Sequence, residues 1–297
     1  MLDKHIIDFN ESLIGLRDFI GLIDPFLNEK IEEHDKHIRP LVTSALIKEL
    51  LSENTDWEEG EKEKFIEMQN KIQTQIDLKY SKNTEIIIEK NKTKIDSKKV
   101  LIKIKSENDD IYSHISNVQK ANKHINLLYT NSLISLLSNV ELFFSQILHY
   151  YYNQYPDSAG VQKRTLTLKD LKTFASVNDA EKYLIDIKID EVLRGNFESW
   201  ISLLKEEIGL GLGYIKELLD ELIEIYQRRN LFVHNGGIVN SIYISKVDES
   251  LRQELKPGEV LSVEKEYLEN SICKLQKAFI LIGAELWKKL NPEDEKR

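Results

Sequence analysis

The apolar run from Ile111 to Tyr152, IYSHISNVQKANKHINLLYTNSLISLLSNVELFFSQILHYYY, constrains the fold of this chain more than any other feature. Its large apolar residues recur at the spacing of a helix and are too many for one narrow stripe, so the run predicts a long, mostly buried helix. Such a helix must be covered by other helices or by a sheet. Several amphipathic segments elsewhere have the same helical period, which predicts a mainly α protein.

The other helices are predicted from the same period and from local start and stop signals. HIIDFNESLIGLRDFIGLIDPFL is expected to end near Asp24-Pro25, since proline disfavours a helical residue before it. Ser176 and Asn196 each precede a helical segment and are predicted N-caps. The segments GLGYIKELLDELIEIYQRRNLFVHN and EKEYLENSICKLQKAFILIGAELWKKL predict two long amphipathic helices near the carboxyl end.

Residues 79–105 have a different character, with nine lysines against three acidic residues in a chain whose net charge is −9. EIIIEK and KKVLIKIK are β-branched and partly alternating, which predicts a small β-hairpin insertion, although a helix remains an alternative. The lysines indicate a solvated surface or, as the rarer alternative, an RNA contact. We therefore predict two regions, an N-terminal helical region over 1–115 that carries the lysine-rich insertion and a helical domain over 116–297.

Composition excludes several classes of protein. The net charge of −9 and the pI near 5.4 exclude a protein that coats nucleic acid by bulk electrostatics, but they allow a local basic cleft. The single cysteine, Cys273, excludes an intrachain disulfide and a multi-cysteine zinc site. The histidines at 5, 34, 37, 114, 124 and 149 form no metal-ligand pattern, so neither a metal nor a cofactor is expected. With no signal peptide and no membrane span evident, we expect a cytoplasmic protein.

The stretch QRRNLFVHNGG, residues 227–237, carries the candidate chemistry. Arg229 and His234 are separated by about 140° around an uninterrupted helix, so they do not share a face. Asn235-Gly236-Gly237 is a helix-stop signal that places His234 in the last turn, where the chain can direct it towards Arg229 or towards a second subunit. The simpler alternative is an ordinary helix end at which the histidine only caps the helix.

The R-x4-6-H motif of the HEPN superfamily is matched by this stretch, in which Arg229 is followed by Asn230, three further residues and His234. The surrounding sequence, over about residues 115–297, also resembles prokaryotic HEPN-like proteins. The segments that carry this resemblance are EVLRGNFESW, RRNLFVHNGGIVN and KPGEVLSVEKEYLENSI. The resemblance implies a helical bundle of HEPN type and a homodimer in which two motifs meet. It further implies a metal-independent endoribonuclease that cleaves RNA by attack of the 2′-hydroxyl, of the kind found in toxins and anti-phage defence effectors.

The resemblance also implies a role for each residue of the site. His234 is the expected general acid or base, and Arg229 is expected to hold the phosphate and stabilise its developing charge. Glu141, an acid within the apolar run, is the predicted partner of one of the two arginines because a buried carboxylate needs one. The predicted supporting or RNA-binding residues are Asn230, Arg228, Glu141 and Asn235, where Arg228 is either a second phosphate contact or a surface residue.

This interpretation has two alternatives, and the sequence departs from the pattern of some HEPN toxins at one position. The first alternative is a non-catalytic HEPN-like module that binds a partner protein or nucleotide. The second places the function in residues 1–110, with the lysine-rich insertion contacting RNA or a partner. HEPN toxins that are silenced by nucleotidyl transfer have a tyrosine two residues after the histidine, whereas this chain has Gly236 there. This departure argues against regulation by nucleotidyl transfer, and an antitoxin or regulatory protein is a possible partner by another route.

Overall fold

The computed structural model describes residues 2–52, 57, 60–79, 85–90, 100–105, 109–252 and 254–292, with the backbone alone for 85–90, 100–105 and 109. The described chain is mainly helical, as the sequence predicts. Its helices are α1 Leu2–Ser52, α2 Glu61–Lys79, α3 Asp109–Gln154, α4 Leu168–Leu171, α5 Val177–Leu193, α6 Phe197–Ser202, α7 Leu219–Asn235, α8 Ser241–Lys246, α9 Glu249–Arg252 and α10 Lys265–Leu290. There are also two strands, β1 Glu85–Lys90 and β2 Val100–Lys105, and short 3-10 or π-helical turns at Pro156–Ala159, Val161–Lys163, Leu203–Glu207 and Gly213–Ile215.

The first helix does not end near Asp24-Pro25, so that prediction is wrong. Helix α1 continues through Pro25 and Pro40 to Ser52. An internal proline removes one backbone hydrogen bond and costs roughly 3 kcal/mol. Residues on both sides of Pro25 are buried, including Ile20 and Leu27. The free energy gained by burying the helix on both sides of Pro25 outweighs the local cost of the proline. The rule used for the prediction considers only that cost.

The chain divides into two compact units. Unit 1 comprises residues 1–22 and 126–297, and unit 2 comprises residues 23–125. The boundary on α3, between Ile125 and Asn126, lies further along the chain than the one predicted at 115–116. Residues 1–22 belong with the carboxyl-terminal part of the chain, and Phe9 of α1 packs against Phe143 and Phe279 there.

The core of unit 1 is built on aromatic side chains from α1, α3, α6 and α10. Phe9 stacks on Phe143 with ring centroids 4.5 Å apart, and Phe144 stacks on Trp200 at 4.4 Å. Phe279 of α10 is fully buried among them. Among the described helices, one (Asp110–Gln154) is long and apolar enough to cross a membrane by length and composition, a test that buried core helices also pass.

Helix α7 lies against this aromatic core and positions the candidate site. Leu222, Ile225 and Tyr226 are buried, and the Tyr226 ring lies 5.8 Å from that of Trp200. After α7 the chain turns back, and Ile238 forms an isolated antiparallel bridge with Val260. The end of α7 is therefore held on one side by the core and on the other by this short pairing.

Unit 2 contains the predicted hairpin. Strands β1 and β2 pair antiparallel from Glu85 opposite Lys105 to Lys90 opposite Val100, which confirms the hairpin rather than the helical alternative. The connecting residues 91–99 lie outside the described residues, and with them much of the predicted RNA contact. The small apolar cluster of this unit is formed by side chains of α1, α2 and α3, namely Leu41, Ile76 and Ile111 with Ile72 and Ile115 against them.

Candidate functional site

Helix α7 places Arg229 and His234 on different faces. The helix is continuous from Leu219 to Asn235. Helical geometry therefore separates the two residues by about 140° around the axis and by about 7.5 Å along it. The backbone of the helix therefore does not itself turn His234 towards Arg229 of the same chain. His234 instead lies one turn beyond Asn230, about 40° away around the axis. The face that carries His234 is thus shared with Asn230.

Arg229 is engaged with Glu141 of α3. Its guanidinium forms an ion pair with the Glu141 carboxylate, and the two side chains are only 13% and 32% exposed. The guanidinium carbon lies 4.8 Å from the centroid of the Tyr226 ring, and the Tyr226 hydroxyl donates to Glu141 Oε1 at 3.4 Å. Glu141 is therefore the partner that the sequence predicts for one of the two arginines.

These contacts do not satisfy every hydrogen-bond donor of Arg229. Its Nε is buried and has no hydrogen-bond partner among the described residues. A buried donor without an acceptor costs free energy, on the order of 1–3 kcal/mol, which an incoming acceptor would recover. Burial raises the pKa of the adjacent Tyr226 hydroxyl, opposed by Arg229 and reinforced by Glu141, so this tyrosine stays protonated at neutral pH. Arg229 therefore has one buried hydrogen-bond donor that its contacts with Glu141 and Tyr226 leave unused.

His234 lies at the exposed end of α7, beside a helix stop of the predicted kind. Gly236 has a left-handed φ of 60°, and the Gly237 amide donates to the Leu231 carbonyl at 3.0 Å. The Asn235 side chain donates to the Ile238 carbonyl, so it is used to hold the turn. His234 itself is exposed and belongs to the last turn of α7.

Several exposed apolar side chains lie on α7 or in the segments that follow it. Val233 precedes His234, Ile238 and Val260 face each other in the antiparallel bridge, and Val260 is 72% exposed. Ile242 of α8 is exposed as well. Exposed apolar side chains can contribute to a surface that another macromolecule covers when they form a continuous patch. We call Val233, Ile238, Ile242 and Val260 the apolar rim.

Arg228 belongs to a second, more deeply buried cluster. Its Nε donates to Glu224 Oε1 at 2.7 Å, and Glu224 is only 5% exposed. The hydroxyls of Tyr243 and Tyr267 also donate to the Glu224 carboxylate, each at 2.7 Å. The Arg228 guanidinium lies 3.9 Å from the Tyr267 ring centroid and donates to the Ser262 carbonyl at 3.2 Å. We call the side chains of Glu224, Arg228, Tyr243 and Tyr267 the Glu224 cluster.

The Glu224 cluster changes the interpretation of Arg228. Burial lowers the pKa of the Arg228 guanidinium, but its interactions with Tyr267 and with the Glu224 carboxylate outweigh burial, and the net shift is upward. Burial, followed by the Glu224 charge, raises the pKa values of Tyr243 and Tyr267. Arg228 is therefore not a surface residue, and a phosphate could reach its cation only by competing with Glu224. Its place in the fold is to connect α7 to α10 and to the segment before it.

Sequence reasoning missed Glu224, Tyr226, Tyr243 and Tyr267. The i,i+4 spacing of Glu224 and Arg228 on one helix was a signal that could have identified this pair. The tyrosines Tyr243 and Tyr267 lie 19 and 43 residues from Glu224 in the chain, and no local pattern connects them. Among the described residues, no three histidine, cysteine or carboxylate side chains are grouped so that they could hold a metal ion.

Comparisons with protein-family models, with curated proteins and with solved structures give no match to this chain. The HEPN resemblance thus rests on the motif and its helical surroundings.

Proposed function

We propose that this protein is a metal-independent endoribonuclease of HEPN type, a cytoplasmic toxin or anti-phage defence effector that cleaves RNA. The observation that carries the proposal is the pair formed by a buried, incompletely satisfied Arg229 and an exposed His234 on one helix end. An arginine fork binds phosphate oxygens well, and histidine is the side chain that most often serves as a general acid or base.

The chemistry needs both groups at one phosphate. The RNA 2′-hydroxyl would lose its proton to a histidine while it attacks the adjacent phosphorus. The bond from phosphorus to the 5′-oxygen would break, and that oxygen would take up a proton from the protonated histidine or from water. Arg229 would stabilise the charge on the non-bridging oxygens, and Asn230 would position the phosphate from the His234 face. The products are a 2′,3′-cyclic phosphate and a 5′-hydroxyl end, and the 2′-hydroxyl requirement excludes DNA as a substrate.

A homodimer is part of the proposal, because one helix directs Arg229 and His234 away from each other. In a symmetric dimer the His234 face of one protomer meets the same surface of its partner. The exposed apolar rim around the end of α7 supports this assembly. We expect the wild type to sediment as a dimer and Ile238→Asp to sediment as a monomer. A monomeric wild type at micromolar concentration would remove the dimer from the proposal.

The test of activity is cleavage of total cellular RNA in the presence of EDTA. We expect wild type to produce 2′,3′-cyclic phosphate ends and His234→Ala to lose cleavage by at least about a hundredfold, the usual contribution of a general acid or base. His149→Ala is the matched control, since His149 is a partly exposed histidine of the same unit that lies near Asp186. Full activity of purified His234→Ala would overturn the assignment.

A second function, a non-catalytic module that binds a partner protein or nucleotide, is favoured by one observation. Both arginines of the motif already have carboxylate partners, Glu224 for Arg228 and Glu141 for Arg229. In that case wild type has no ribonuclease activity, and Ile238→Asp abolishes association with the partner, which includes an antitoxin or regulatory protein. Arg229→Ala then weakens nucleotide binding without any change in RNA stability.

A further inference from the structure

Three histidines of unit 2 come together from two helices. His34 and His37 belong to α1, and His114 belongs to α3. The Nδ1 atoms of His34 and His114 are 3.0 Å apart, within hydrogen-bond distance. The rings of His37 and His114 are stacked, with centroids 4.0 Å apart and planes within 5° of parallel. All three side chains are half-buried.

The contact between His34 and His114 allows at most one of these two rings to be protonated. A hydrogen bond between two imidazole nitrogens needs one N–H donor and one lone pair, whereas an imidazolium has an N–H on both nitrogens. If His34 and His114 were both protonated, two N–H groups would face each other across 3.0 Å. A proton on His37 would in turn place a second cation flat against the His114 ring. Each proton beyond the first therefore opposes the packing of α1 on α3 in this unit.

The charges around the histidines act mainly in the same direction. His37 and His114 have lowered pKa values, first because of burial and then because of neighbouring positive charge. For His114 the largest contribution after burial comes from His34, with Asp110 opposing it. The charged groups that face the cluster are Glu33 and Lys36 of α1, Lys79 of α2 and Asp110 of α3.

We propose that the cluster of His34, His37 and His114 makes unit 2 a proton-sensitive module, in which neutral rings hold α1 and α3 together near neutral pH and protonation in mild acid opens them. The small apolar cluster of this unit, around Leu41, Ile76 and Ile111, offers little packing to offset the loss. The proposal is independent of ribonuclease activity.

The sign of the pH dependence follows from the direction of the pKa shifts. The folded pKa values of His37 and His114 both lie below the reference value of 6.5, so the unfolded chain takes up protons first as the pH falls. The stabilisation is fully present above a pH of about 6.5 and is lost as the pH falls from there towards the lowered values. Within that window each coupled proton multiplies the opening equilibrium by at most about ten per pH unit.

Amide hydrogen exchange of the full chain between about pH 5.5 and 7.5, corrected for intrinsic exchange rates, tests the proposal. We expect the opening equilibrium of segments 23–52 and 109–125 to rise on acidification, by up to about a hundredfold per pH unit if two protons are coupled. Segments of unit 1 that form the aromatic core serve as the internal reference. A wild type in which unit 2 shows no steeper pH dependence than this core overturns the proposal.

His114→Phe is the decisive variant, because it keeps a planar ring for stacking but does not titrate. We expect its unit 2 to show less than about a tenfold change per pH unit. His124→Phe, at an exposed histidine of the same helix, keeps the wild-type profile. If His114→Phe fails to fold, His37→Gln removes one titrating ring and is expected to reduce the slope by one proton. Identical profiles for wild type and the cluster variant that folds would overturn the assignment to these histidines.

Discussion

Replacing the buried carboxylate of Glu224 is predicted to destabilise unit 1 more than any other single change in an ion pair of α7. Glu224→Gln keeps the shape of the side chain but removes its charge. It leaves the Arg228 cation, which donates to Glu224 Oε1 at 2.7 Å, without a counterion. It also places an amide NH2 group where the carboxylate accepted hydroxyl protons from Tyr243 and Tyr267.

The size of the effect follows from burial. Glu224 and Arg228 have side chains only 6% and 13% exposed, so solvent cannot replace the lost partner. Removing one member of a buried pair costs roughly 3–5 kcal/mol. A domain of ordinary stability unfolds with about 5–15 kcal/mol, so the variant loses a large fraction of it. Tyr243→Phe and Tyr267→Phe each remove one hydrogen bond to a charged acceptor and should cost about 1.5–3 kcal/mol.

Urea unfolding of the full chain, followed by tryptophan fluorescence, measures this loss because Trp200 is buried in the core of unit 1. The matched control is Glu221→Gln on the same helix, whose pair with Lys274 is 2.9 Å long but about one-third exposed. We expect less than about 1 kcal/mol for that control. Equal and small changes in the free energy of unfolding for Glu224→Gln and Glu221→Gln would refute the reasoning from burial.

Two further predictions concern local backbone geometry and use the same unfolding measurement. Gly237 has a φ of 79°, and an added Cβ would lie 2.7 Å from the Phe232 ring, whereas Gly236 has open space around it. Gly237→Ala should therefore cost about 2–4 kcal/mol and Gly236→Ala about 1–2 kcal/mol, and equal costs would show that the Phe232 contact is irrelevant. Asn196 Oδ1 caps α6 by accepting from the Ser199 amide at 2.8 Å. Asn196→Ala should cost about 1 kcal/mol, and an unchanged midpoint would contradict the cap.

Features that depend on near neighbours were predictable from the sequence. Ser176 caps α5 by accepting from the Asp179 amide at 3.1 Å, and Asn196 caps α6. The β-branched segments around residues 85–105 pair as a hairpin. The stop after Asn235 has a left-handed glycine, Gly236. In each case the residues that determine the local structure lie within a few positions of one another or follow the alternating pattern of paired strands. The sequence alone is therefore sufficient to predict that structure.

Features that depend on distant contacts were not predictable. Pro25 and Pro40 stay inside α1 because burial along the helix outweighs their local cost, and a sequence rule counts only the cost. Nothing in the sequence connects Tyr267 with Glu224, since their contact exists only after α10 has packed on α7. The acid Glu141 was identified as needing an arginine, but choosing between the two arginines of the motif required the faces of α7.

The adjacent arginines of α7 explain why a motif alone does not decide between an enzyme and a binding module. Consecutive helical residues differ by about 100° around the axis, so Arg228 faces the Glu224 cluster while Arg229 faces Glu141. Arg228 is satisfied by a buried carboxylate, a carbonyl and an aromatic face. Arg229 has one partly exposed carboxylate and a buried Nε without a partner among the described residues. In the proposed ribonuclease, a phosphate would bind Arg229 by exchanging with Glu141, whereas the same exchange at Arg228 would dismantle the packing of α7. The proposed activity would therefore depend on how readily Glu141 releases Arg229.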